Sequence, residues 1–171
     1  MPQSMPPSTP LHTIYRDSAL GRSRGRSYMR SFGGLGQGLP NALGMKLAMP
    51  DQLVVAAVGD GSFNYNPVVA CFGLCQERRM PILTVIFNNH GYASMQGGLT
   101  HHYPEGYGAR GGCRELASSI TPRPAYPKLV EAFAGWGQAV DHPAEIVPTL
   151  QRGIEAVQEG IPALLDIPLA W

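Results

Sequence analysis

The chain has 171 residues, with 13 Lys and Arg against 12 Asp and Glu and a formal net charge of +1. That balance excludes a general basic field for nucleic acid and an acidic interaction tail. No apolar run approaches the roughly 20 residues of a membrane span, and the N-terminus has no hydrophobic signal-peptide core, so a soluble protein without a membrane partner is expected. A domain of this length buries roughly 70% of the surface its unfolded chain exposes, so it needs no disulfide or structural metal.

Residues 1–30 form a loose Arg-, Pro- and Ser-rich segment, with Arg16, Arg22, Arg24, Arg26 and Arg30 against Asp17. By composition this faintly resembles a mitochondrial transit peptide, but its glycines and prolines speak against an amphipathic helix. A disordered start and a solvated basic loop is the plainer expectation. The folded domain is expected to run from 31 to 171.

That domain opens on Ser31-Phe32-Gly33-Gly34-Leu35-Gly36-Gln37-Gly38, followed by Leu39, Leu43 and Leu47. The pattern predicts a glycine loop opening a helix that ends before Pro50. Residues 53–58 are an unbroken apolar run without polar alternation, as in a strand of a parallel sheet covered on both faces. The run ends at Gly59-Asp60-Gly61-Ser62. Asn66 then reads as a cap with Pro67 in the first turn of a helix whose inner face is Val68, Val69, Phe72 and Cys75. After Pro81, Ile82–Phe87 is a second buried strand. Strand, helix and strand over about 35 residues make a βαβ unit, so the two strands are parallel and their C-terminal ends share one edge.

From Asn88 to about Pro127 no period is sustained, and so long a connection in a compact domain is read as a functional loop. Alternation resumes with Lys128–Trp136 as helix, Gln138–Val140 as strand, Ala144–Gln158 as helix and Ala163–Pro168 as the last strand. The last helix buries Ile146, Val147, Leu150, Ile154 and Val157. The fold class is therefore α/β, a three-layer open parallel sheet with helices on both faces. Cys71, Cys75 and Cys113 lack a zinc spacing and read as reduced core thiols of an intracellular, cytoplasmic protein.

Ligands of open parallel sheets bind beyond the strand C-termini. Two adjacent ends here deliver an Asp60 carboxylate, an Asn89 amide oxygen and the Gly91 backbone carbonyl. Three oxygens from two turns suit Mg²⁺, which keeps other positions for phosphate and water. Gly59 and Gly61 let the backbone approach that phosphate, and the following helix adds electrostatic attraction. Alone, Asp60 would be an ordinary turn residue; with Asn88-Asn89 on the neighbouring strand it reads as a ligand. A nicotinamide-binding domain competes poorly, because Asn88-Asn89 stands where a ribose-binding acid would end the second strand.

Gly59-Asp60-Gly61, 26 intervening residues and then Asn88-Asn89 resemble the cofactor motif of the thiamine-diphosphate-dependent enzymes, the group of acetolactate synthases, benzoylformate decarboxylases and pyruvate decarboxylases. Gly33-Gly34-Leu35-Gly36 and the ending Pro162-Ala163-Leu164-Leu165-Asp166-Ile167 are similar to that family as well. The resemblance spans about 31–171, one diphosphate-binding domain. It implies that Asp60, Asn89 and the Gly91 carbonyl bind Mg²⁺ and that Gly61 and Ser62 meet the diphosphate. Leu35 matches the residue that bends the cofactor, and the Gly33 carbonyl matches the acceptor for its aminopyrimidine. The implied reaction starts from a 2-oxo acid that loses carbon dioxide, with the protein orienting the cofactor that performs the hard step.

The family's activating glutamate belongs to a second, pyrimidine-binding α/β domain. Only Asp17 is acidic before the glycine loop, so no catalytic Glu is expected here and a partner domain or subunit in trans is implied, within a homo- or hetero-oligomer. The alternatives are a truncated piece of a longer synthase or decarboxylase, and a non-catalytic cofactor-binding or interaction protein. His101-His102 with Glu105 are expected on an exposed loop or a lid rather than as metal ligands, and Trp136 in a packing cluster at a helix end.

Overall fold

The computed structural model of the chain describes residues 34–110 and 118–169. The segment 1–30, Gly33 and Cys113 lie outside those residues. Four parallel strands, β1 (Val55–Gly59), β2 (Leu83–Asn88), β3 (Trp136–Ala139) and β4 (Ala163–Pro168), form one sheet in the order β1-β2-β4-β3. The central strands β2 and β4 are buried along almost their whole length, which is why their sequences run apolar without alternation.

Helices α1 (Gly38–Ala48), α3 (Val68–Arg78) and α6 (Pro127–Glu131) cover one face. There Leu39, Leu43, Phe72, Cys75 and Val130 meet Ala56, Val58, Ile82 and Ile86 of the sheet. On the other face lies α7 (Ile146–Gln158), entered through a 3₁₀ turn at Pro143–Glu145, whose Ala156 and Val157 pack on Leu83, Val85, Leu165 and Ile167. Each fully buried Leu, Ile or Phe contributes about 1.5–3 kcal/mol over its exposed state, and both cores hold several. The three-layer α/β architecture expected from the sequence is thus present. Three further helical segments, α2 (Asp60–Phe63), α4 (Ala93–His102) and α5 (Tyr107–Arg110), lie at or beyond the C-terminal ends of β1 and β2. No helix of the described residues is long and apolar enough to cross a membrane.

Several local expectations are corrected. Leu53 and Val55 are 44% and 48% exposed, because β1 is an edge strand and α7 packs on β4, β3 and β2; β1 is therefore covered on one face only. Leu47, Val69 and Val147 also face outward, although each falls on an apolar helical repeat. The region 88–127 is not all irregular, since it contains α4 and α5. Gly97-Gly98 and the absence of any buried residue in α4 left that helix without an apolar period. The helix expected over Lys128–Trp136 stops at Glu131, and left-handed Ala134 (φ 56°) turns the chain so that Trp136 begins β3. There Trp136 packs on the second core beneath the Arg152 guanidinium, 5.9 Å from its ring centre. Cys71 and Cys75 are buried free thiols as expected, and burial pushes Cys75 up to about 12.

Candidate functional site

β1 and β2 end side by side, Gly59 opposite Phe87, and each strand is followed at once by a tight turn. After β1 the chain enters the one-turn helix α2, which begins at Asp60. After β2 it passes Asn89, then His90 in the left-handed region at φ 60°, then Gly91. The two turns converge on a single amide: the Gly91 N–H donates to Asp60 Oδ2 at 2.9 Å and to Asn89 Oδ1 at 3.2 Å. The Gly91 carbonyl oxygen faces the same turn, 3.4 Å from where a Cβ on Gly61 would stand. Asp60 and Asn89 thus reach one amide of Gly91, whose carbonyl stands beside Gly61.

Asp60 is 2% exposed, and burial pushes its carboxyl above the ordinary value, against the lowering effect of backbone amides at Gly61, Gly91 and Asn89. No Lys or Arg among the described residues pairs with it. A buried carboxylate without a protein cation is costly, and an oxygen-lined cation seat relieves that cost. Gly61 has no room for a side chain, since a Cβ there would press on the Tyr92 ring at 2.8 Å. Gly59 is less constrained, with only the Phe87 carbonyl at 3.9 Å.

The glycine loop reaches the same place. Gly36 takes φ +85°, and a Cβ on it would run into the Tyr65 carbonyl. Leu35 beside it is a large apolar side chain, 46% exposed. Asn66, which the sequence suggested as the cap of α3, caps α1 instead: its Oδ1 accepts the Leu39 N–H at 2.9 Å, while its Nδ2 donates to the Ser62 carbonyl at 2.9 Å. One buried amide therefore fastens the loop–helix junction to the Asp60–Phe63 turn. Gly34 is exposed, and Ser62 is half-buried on α2.

A second support was invisible in the sequence. Residues 118–126 strap across the turn after β2: Tyr92 N–H donates to the Ser118 carbonyl, Ile120 N–H to the His90 carbonyl, and Gly91 bridges Ser119. Farther along, Tyr126 O–H donates to Asn64 Oδ1 at 3.1 Å and its ring meets Phe63 edge-on. Tyr65 and Tyr92, with ring centres 6.2 Å apart, form an aromatic corner beside Gly61. His101 and His102 are exposed at the end of α4, not on a loop. Their rings lie edge to face at 4.9 Å, and no cluster of three His, Cys, Asp or Glu suited to a metal occurs among the described residues.

Comparison with known families decides what this arrangement belongs to. The model of the thiamine pyrophosphate enzymes' C-terminal, cofactor-binding domain matches residues 11–167. The chain belongs to the thiamine pyrophosphate enzyme family. Among curated members it is 30% identical over 135 residues to the acetolactate synthase isozyme 3 large subunit of Escherichia coli strain K12, covering 79% of this chain and 22% of that protein. It is 28% identical over 144 residues to a 2-hydroxyacyl-CoA lyase of Oryza sativa, with 80% and 22% covered. Among solved structures, the thiamine diphosphate-dependent 4-hydroxybenzoylformate decarboxylase of Rhodococcus jostii aligns with a TM-score of 0.63 at 26% identity, over 81% of this chain and 24% of that one.

The chain thus spans less than a quarter of the length of these thiamine pyrophosphate enzymes. What it provides is their thiamine diphosphate-binding C-terminal domain, of the acetolactate-synthase-like kind. Met95, Leu99, Tyr103 and Tyr107, on and beside α4 and α5, are large side chains left exposed.

Proposed function

We propose that the chain seats thiamine diphosphate and Mg²⁺ as the diphosphate-binding half of a 2-oxo acid decarboxylase or carboligase of the acetolactate-synthase type. The observation that carries the reading is the convergence of Asp60 Oδ2 and Asn89 Oδ1 on the Gly91 amide. It supports a seat in which Asp60, Asn89 and the Gly91 carbonyl hold Mg²⁺, with the buried, unpaired Asp60 carboxylate as the main attraction. Gly61 and Ser62 meet the diphosphate, the Gly61 backbone being free of a side chain on the side of Tyr92. The exposed Leu35 supports the bent cofactor, a role that the family resemblance gives it together with Gly33 and Gly34. Bound thiamine diphosphate would supply the nucleophilic carbon for a 2-oxo acid carbonyl; this chain's residues would bind and orient it.

None of these residues is positioned by the reading as a proton donor or acceptor toward the aminopyrimidine. That role falls to a glutamate of a pyrimidine-binding domain supplied in trans, in a homo- or hetero-oligomer. The exposed Met95, Leu99, Tyr103 and Tyr107 of the segment after β2 are compatible with such a cover, since exposed apolar surface marks interaction sites. The test is decarboxylation of pyruvate or benzoylformate with thiamine diphosphate and Mg²⁺, with and without a co-expressed pyrimidine-binding domain. Turnover is expected only with the partner, and turnover by the chain alone would contradict the reading of it as half a site.

A further inference from the structure

Asp166 lies in the middle of the last strand, 1% exposed, and neither of its oxygens is idle. Oδ1 accepts the Asn88 side-chain amide at 2.8 Å. Oδ2 accepts Arg123 through Nη2 at 2.8 Å and Nε at 3.3 Å. Asn88 is itself 1% exposed, and its own Oδ1 accepts the His90 N–H at 3.0 Å. An ionised carboxylate only accepts hydrogen bonds, so Asp166 forces the Nδ2 end of Asn88 toward itself and the Oδ1 end into the turn. His90, held by that bond, stands in the left-handed region, and the next amide along is the Gly91 N–H shared by Asp60 and Asn89.

We infer that Asp166 is a positioning residue for the cation seat, acting through Asn88 to set the Asn89–Gly91 turn. Fold stability does not account for it. An apolar side chain would fill a central strand as well, and buried ion pairs are frequently matched or bettered by apolar replacements of similar volume. Arg123 comes from the same 118–126 strap that holds His90 and Tyr92 by their backbones, so Asp166 also joins that strap to the end of β2. A seat for Mg²⁺ demands near-octahedral geometry, whereas Ca²⁺ tolerates irregular oxygen cages. Loosening the turn should therefore show first in the choice between these two cations.

This inference rests on the assignment of Asp60, Asn89 and Gly91 to the cation. The experiment titrates Mg²⁺ and, separately, Ca²⁺ into the full chain at saturating thiamine diphosphate, read by calorimetry, for the native chain, Asp166→Asn and Asn88→Ser. Asp166→Asn keeps the shape but lets the Asn88 amide turn over. Mg²⁺ affinity should fall by about 10–100-fold, as for other residues that orient ligands, and Ca²⁺ affinity by much less. Asn88→Ser cuts the same relay nearer the turn, gives the same loss of discrimination, and carries the test if Asp166→Asn does not fold. A residue that only stabilises the fold would lower both affinities alike. Equal losses for the two cations, or Mg²⁺ affinity within about twofold of native in the variants that fold, would overturn the inference. Asp60→Ala is run beside them: if it leaves Mg²⁺ binding intact, the underlying assignment fails, and if it alone abolishes binding, only the relay fails.

Discussion

Replacing Asn66 by Ala removes one side chain that makes two different attachments. Its Oδ1 satisfies the Leu39 N–H in the first turn of α1, and its Nδ2 satisfies the Ser62 carbonyl, both at 2.9 Å in a site where Asn66 is 7% exposed. Loss of a helix cap costs about 1 kcal/mol, and a buried N–H or C=O left without a partner costs about 1–3 kcal/mol. Water reaches such a site poorly, so the two effects together should destabilise the chain by about 2–4 kcal/mol, against a total of about 5–15 for a domain. At this size about 2–4 °C of Tm accompanies each kcal/mol, so Tm should drop by roughly 5–15 °C. The assay is urea unfolding followed by circular dichroism, where the midpoint should fall while the slope stays constant. A loss below about 0.5 kcal/mol, the range of ordinary surface changes, would refute the claim that this amide joins the glycine loop to the Asp60 turn.

Gly91→Ala places a methyl group against the Ser118 carbonyl and the Ser119 Cα. It should cost about 1–3 kcal/mol as overpacking and weaken Mg²⁺-dependent cofactor binding, measured by thermal unfolding and a Mg²⁺ titration; native stability in this variant would show that the strap is loose. Alkaline stability should follow Cys75 and Tyr126, both pushed up by burial, from 9.0 and 10.0 respectively to about 12. Between those values the folded chain keeps protons that the unfolded chain has lost. The Cys75 contribution is therefore complete below pH 9 and the Tyr126 contribution below pH 10, and above that point each loses about 1.4 kcal/mol per pH unit as pH rises toward 12. Unfolding free energies measured from pH 8 to 11 should decline accordingly, and a flat profile would contradict the burial of these two groups.

The sheet and the two turns that end β1 and β2 are legible in the sequence because local pattern and global fold agree there. Asp60 and Asn89 each come just after an apolar run that reads as a strand, and parallel pairing then brings the two strand ends together. What escaped the sequence depends on pairings across long stretches of chain: Asn66 to Leu39 at a separation of 27 residues, Arg123 to Asp166 at 43 and Asn88 to Asp166 at 78. No periodicity announces those partners. Val69 and Val147 were misplaced because an apolar residue on a helix does not say whether another element covers it. Trp136 was misplaced because a left-handed Ala134, rather than a glycine at that position, broke the helix.

The central claim is that Asp60 holds a cation through which this domain takes up its cofactor. It is tested most directly by titrating thiamine diphosphate into the native chain and into Asp60→Ala, each with saturating Mg²⁺ and each with the metal chelated. In the native chain, Mg²⁺ should strengthen binding, and Asp60→Ala should abolish that gain and bind more than about tenfold more weakly, since even residues that merely orient metal ligands are worth that much. Equal affinity in the two chains with Mg²⁺ present would contradict the assignment.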